Sequence, residues 1–273
     1  MVPKTLYYQT ILFLRILLLK KVHPDEASLR KLYNFLIDSS NNKWYKNVGC
    51  FYRFYTYSLK RQRIMFRARH FKDVDEILEY IQLIGYIAEA KEWDNRAHLE
   101  RMRGYTRVLC SGLNIPKNDV EIISIASMLH DIGKILIPEK LLQHNGDYTK
   151  DEWHFLEKHT NDCSRLLGNP DSLILQTGLI IARTHHERWD GSGYPKKLRR
   201  EEIPLSGRVC AIADVFDALV TERPYKKVIP ESEAIDIIVH SSGSLFDPAC
   251  IKAFEKSIDE ILVIKTTSNA NRF

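Results

Sequence analysis

The chain has 273 residues, 44% hydrophobic and 27% charged, with a formal net charge of +5. That length and balance give one large globular domain or two modest ones, each with a real core, and exclude a disordered chain. The five cysteines (Cys50, Cys110, Cys163, Cys210, Cys250) are scattered and never form a CxxC pair, which argues for reduced thiols in a cytosolic compartment and against a disulfide framework or zinc knuckle.

The charge is unevenly spread. Residues 1–72 carry 15 Lys+Arg against 3 Asp+Glu, and the remaining 201 carry 25 against 32. A basic part joined to an acidic part suggests two units with different partners. The chain opens with an apolar run over 6–19, interrupted by Gln9, Thr10 and Arg15. Its 14 residues would reach only ~21 Å as a helix, short of a hydrocarbon core of ~30 Å. Arg15, and the absence of a small-residue cleavage site after Lys20-Lys21, count against a signal peptide. A buried or partner-facing helix is the plain reading, and an interfacial membrane helix flanked by Lys20 and Lys21 the minority one.

His23-Pro24-Asp25 reads as a turn into a helix that runs to about Ile37, followed by a loop over 39–43. Residues 44–70 interleave aromatic and basic side chains, among them Trp44, Tyr45, Phe51, Tyr52, Arg53 and Arg61. Such interleaving can bind nucleic acid by stacking and phosphate contact. The same residues fit a strand over 50–59 and a solvated linker over 60–69, and no nucleic-acid motif is present. Residues 1–73 are therefore expected to form a small regulatory or partner-binding domain, mainly helical or α+β, with no nucleic-acid polymer as partner.

From Val74 the texture changes. Ile77, Leu78, Ile81, Ile84 and Ile87 repeat at helical spacing, and helix-length segments separated by short turns continue to the end. Thr149 and Glu152 predict a capping box. No sustained β alternation follows, so 74–273 is expected to be all-α.

Ten histidines are present, and several sit in a pattern that suits metal ligation. An apolar run delivers His130 and Asp131 side by side, with Gly133 and Lys134 close behind. Asp94 and His98 are four apart, on one face of a helix. His154 and His159 are five apart, so one is expected to face solvent. His185 and His186 are adjacent and would diverge by about 100° on a helix, suited to serving two ions. Asp214 lies in the apolar run Ala211-Ile212-Ala213-Asp214-Val215-Phe216, where a carboxylate is costly unless it is paired or metal-bound. Each residue alone has a bland explanation as a core or surface group. Together they form a nitrogen-and-oxygen set without sulfur, which suits iron or manganese better than structural zinc.

His130-Asp131-Ile132-Gly133-Lys134 and His185-His186-Glu187-Arg188-Trp189-Asp190-Gly191-Ser192-Gly193-Tyr194-Pro195 together resemble the HD-GYP family, a branch of the HD-domain metal-dependent phosphohydrolases. The resemblance spans roughly 76–265 and includes Arg223-Pro224-Tyr225-Lys226 and Phe246-Asp247-Pro248. It implies an HD-type helical bundle that hydrolyses the bacterial second messenger cyclic di-GMP to pGpG or GMP. A hydroxide bridging two metals is the expected nucleophile. It implies two or three divalent ions held by His98, His130, Asp131, His159, His185, His186 and Asp214, with Asp131 bridging. It further implies that Lys134, Arg223 and Lys226 face the substrate phosphate and that Tyr194 flanks the site.

The chain departs from the family in ways that matter. Asp94 stands where trinuclear members carry a glutamate, and it either serves as the ligand of a third ion or leaves that ion unbound. Lys197 and Arg200 lie where the family has glycines, and the loop backbone is expected to change, since other residues resist positive φ. These departures favour, as the alternative, a catalytically weak cyclic di-GMP receptor or interaction module. The expected setting is cytoplasmic, with a protein partner for 1–73 or for the Gly-Tyr-Pro loop; homodimerisation is left open.

Overall fold

The computed structural model describes residues 74–89, 95–144, 146–222 and 228–270. Expectations for residues 1–73, for Asp94, and for Arg223 and Lys226 lie outside the described residues. Among the described residues the secondary structure is helical, with one isolated bridge between Ser242 and Phe246. The all-α expectation for this part therefore holds.

The helices are α1 (Val74–Glu89), α2 (Asn95–Gly112), α3 (Lys117–Ala126), α4 (Glu139–Leu142), α5 (Lys150–Glu157), α6 (His159–Leu167), α7 (Leu173–Thr184), α8 (Leu205–Val220), α9 (Glu231–His240), α10 (Pro248–Lys256) and α11 (Ile258–Ala270). Their boundaries follow local chemistry. Prolines 116, 204 and 230 immediately precede α3, α8 and α9 and hold the entering backbone extended. Thr149 and Glu152 close the predicted capping box on α5. Asp247 caps α10 through Ala249 N–H at 2.8 Å, and Pro248 fills the first helical position, where no N–H is needed. Gly168, at φ 63°, ends α6 in the left-handed region.

Helices α2 and α8 form the centre of the bundle, with α3, α7, α10 and α11 packed around them. Met102, Tyr105 and Leu109 of α2 meet Val209, Ile212 and Phe216 of α8 in one buried cluster. Phe216 lies edge-on to Tyr105 at 5.4 Å and to Phe254 of α10 at 5.6 Å. Burying a ring of this size contributes about 1.5–3 kcal/mol. The same two helices carry polar residues that project toward α1 and the segment after α3, so the core also sets the spacing of the site. No helix among the described residues is long and apolar enough to cross a membrane.

Candidate metal centre

His130 and Asp131 stand at a break in the helical run. Helix α3 gives way to a tight 3-10 turn, Ser127–Leu129, and a second one, Ile132–Leu136, follows the pair. Asp131 takes φ −104° and ψ 14°, the sparsely allowed bridge region. Both side chains turn inward, His130 fully buried and Asp131 nearly so. Gly133 is required here because a Cβ would overlap the carbonyl oxygen of His159. That close backbone approach brings α6, and His159 at its start, against the His-Asp pair.

Two groups of donor atoms result. Asp131, His159, His185 and His186 each bring one ligand atom to within 4.8 Å of the others, and so do Glu89, His98 and His130. Asp131 faces both groups. Its Oδ1 lies 3.3 Å from His159 Nε2 and 3.7 Å from His185 Nε2. Its Oδ2 lies 3.3 Å from His130 Nε2 and 2.5 Å from Lys134 Nζ. In the second group His98 Nε2 and His130 Nε2 are 3.5 Å apart. Glu89 Oε1 and Asp214 Oδ1 each lie 3.9 Å from the same His130 nitrogen.

The far side of four of these rings is already engaged. Nδ1 donates to the Ser127 carbonyl from His130 at 3.0 Å, to Leu156 from His159 at 2.6 Å, and to Ile181 from His185 at 3.1 Å. His98 Nδ1 donates to Asp217 Oδ2 at 2.7 Å. Arg101, one helical turn beyond His98, donates to both oxygens of Asp217, at 2.6 Å and 2.9 Å. Partners of this kind fix the tautomer and aim Nε2 at the centre.

Burial removes the ring charge from His159, pushing its pKa down to about 4, and holds His186 well below its ordinary value. Both therefore present neutral imidazoles at neutral pH. Burial works the same way on His130, but the carboxylates of Asp131, Asp214 and Glu89 outweigh it and raise its pKa to about 10. Burial acts against charge at Asp131 too, yet Lys134 and His130 hold its carboxyl well below the usual range.

Of the residues expected from sequence, His98, His130, Asp131, Lys134, His159, His185, His186, Tyr194 and Asp214 lie in or beside these two groups, with two amendments. His185 and His186 converge instead of serving separate groups, because α7 ends at Thr184 and their ring centroids come to 3.9 Å. Of the pair five apart, His159 is the buried one and His154 is solvated beside Glu157. Tyr194 stacks on His186 at 4.8 Å, and exposed Trp153 lies edge-on to Tyr194 at 6.5 Å. Glu89 and Asp217 escaped notice in the sequence. Nothing local separates Glu89 from Glu92, whereas Asp217, three residues after Asp214 in the same apolar helix, offered a signal.

The expected change in the Gly-Tyr-Pro loop is not found. Lys197 and Arg200 adopt φ 56° and 51°, the left-handed geometry that glycine favours. The backbone is held by contacts that override local preference. Buried Glu187 accepts N–H bonds from Lys196 at 2.7 Å and Leu198 at 3.1 Å, and Arg200 N–H reaches the Trp189 carbonyl at 3.0 Å.

Asp131 Oδ1, His159 Nε2 and His185 Nε2 are buried with no hydrogen-bond partner among the described residues. Orphaned acceptors of this type are costly, and a divalent ion would satisfy all of them at once. The residues present thus fit a metal. Helical scaffold and buried nitrogen-and-oxygen donors together define a metal-binding helical-bundle protein.

A model of the HD domain matches residues 82–250. A Thermotoga maritima protein named cyclic di-GMP phosphodiesterase is 40% identical over 68% of this chain and 51% of its own length. The Xanthomonas campestris cyclic di-GMP phosphodiesterase response regulator RpfG is 36% identical over 72% of this chain and 53% of its own. A Vibrio cholerae protein named 3'3'-cGAMP-specific phosphodiesterase 2 is 33% identical over 69% and 36%. The chain thus spans about half the length, or less, of these curated relatives. It belongs to the HD-domain family.

Proposed function

We propose that this chain is a metal-dependent phosphodiesterase that hydrolyses cyclic di-GMP to pGpG, GMP or both. The observation that carries the reading is Asp131, whose two oxygens face two different histidine groups. Two or three divalent ions, iron or manganese, are the cofactors that the nitrogen-and-oxygen donors suit. When bound, such ions lower the pKa of water and clamp the phosphoryl oxygens. His159, His185 and His186 would hold one ion together with Asp131, and His130, with His98 and Asp214 near it, would hold another.

Lys134 lies against the same Asp131 oxygen. From there its ammonium meets an incoming phosphate and balances charge that grows on the phosphoryl oxygens. Tyr194 and Trp153 offer apolar ring faces beside the centre, which suits a nucleobase. Arg223 and Lys226 are assigned to phosphate contact from their motif positions alone. The names of the relatives point to cyclic dinucleotides as the substrate class. Buried free cysteines at 110, 163, 210 and 250 accord with a cytoplasmic setting. Residues 1–73 are assigned to regulation or a protein partner, and 74–273 to catalysis.

The test is product analysis by chromatography with manganese- or iron-loaded protein. Cyclic di-GMP and 3'3'-cGAMP should be offered in parallel. Turnover of cyclic di-GMP is expected, with a loss of at least a hundredfold in His130→Ala. Preference for 3'3'-cGAMP would move the substrate assignment. Tight binding without hydrolysis would favour a receptor.

A further inference from the structure

We propose that Glu89, the last residue of α1, is the carboxylate ligand of the divalent ion bound by His98 and His130, in the role that spacing alone assigns to Asp94. The inference rests on the metal-binding reading above and concerns which residue completes the second locus.

Glu89, His98 and His130 come from three separate elements: the end of α1, the first turn of α2, and the break after α3. All three are buried, at 2%, 7% and 0% exposure, and their donor atoms lie within 4.8 Å of one another. The two imidazoles are committed in direction. Asp217 holds His98 Nδ1 and the Ser127 carbonyl holds His130 Nδ1, so both Nε2 atoms face the same point. Their Nε2 atoms lie 3.5 Å apart, and carboxylate oxygens of Glu89, Asp131 and Asp214 lie within 3.9 Å of the His130 one. Donors that each sit ~2.1 Å from one ion, at a bond angle near 110°, lie ~3.4 Å apart. A cation shared by the rings fits that spacing, and Glu89, 3.9 Å from the same His130 nitrogen, supplies negative charge on its remaining side. Two imidazoles and one carboxylate suit a first-row divalent metal. A ligand from position 94 is then not needed to complete the set.

The experiment is a metal count on the full chain by mass spectrometry after manganese loading. It is paired with the visible spectrum of the cobalt-substituted protein, which reports ligand number without reference to activity. Glu89→Gln is expected to lose about one ion per chain and to change the cobalt spectrum, while Asp94→Asn keeps the parental count and spectrum. A Glu89→Gln protein with full count and parental spectrum, or an Asp94→Asn protein that loses the ion, would overturn the assignment and leave the rest of the centre standing. A parent that binds no metal would overturn the metal reading itself. Should Glu89→Gln fail to fold, Glu89→Asp takes its place, with manganese affinity at the weaker site expected to drop at least tenfold; parental affinity would overturn the assignment.

Discussion

At the residue scale, Asp217 ties the centre to the core. It is almost wholly buried, and it accepts from His98 Nδ1 and from Arg101 Nε and Nη2. Burial opposes its ionisation, but those partners win and hold its carboxyl far below the ordinary value of about 3.9. A depressed carboxylate contributes stability that is present above the unfolded pKa and lost as pH falls toward the folded one. In metal-free protein, the stability gap between parent and Asp217→Asn should therefore be full at pH 5–7 and shrink below about pH 4. Urea unfolding across that range checks it; a constant gap would contradict the ion-pair account. Lys197 and Arg200 carry a second residue-scale expectation. Each holds a left-handed backbone that costs a side-chain-bearing residue about 1 kcal/mol. Lys197→Gly and Arg200→Gly should each stabilise by up to about 1 kcal/mol in thermal melts, with metal content unchanged.

At the element scale, the decisive contact is between the 3-10 turn Ile132–Leu136 and the start of α6. It exists because Gly133 has no Cβ to strike the His159 carbonyl. Gly133→Ala should force the two apart, cost roughly 3 kcal/mol or more, and lower metal content even in protein that stays folded. Calorimetry together with a metal count checks both parts. This contact also explains what sequence could and could not disclose. His130, Asp131, His185 and His186 were readable because adjacent residues with distinctive chemistry fall inside compact motifs. Glu89 was not readable, since its role depends on where the end of α1 meets α2. The convergence of His185 and His186 is not legible from helical spacing because α7 ends at Thr184. The path of the loop at Lys197 is not legible from local φ preference because the buried Glu187 carboxylate overrides it.

At the scale of the whole molecule, the donors come from α1, α2, the break after α3, α6, the end of α7 and α8. An ion bound there joins elements distant in sequence, and it binds the folded chain far better than the unfolded one. At free metal a hundred times the dissociation constant, the linkage amounts to about 2.7 kcal/mol per site. Chelation should accordingly lower the melting temperature by several degrees, and manganese or iron should restore it. An unchanged melt with chelator would argue against ions within the bundle.

Glu187 has a wider consequence for how this fold can vary. Its carboxylate gathers the backbone of the Gly-Tyr-Pro loop from beneath, through main-chain N–H groups that every residue except proline possesses. The shape of the rim is thus encoded one layer below the surface, independently of the side chains displayed on it. Lysine and arginine can replace glycine there while the path of the chain is kept. The decoration around the entrance is free to diverge between relatives, and with it the choice of partner, while the metal ligands a few residues away stay in register.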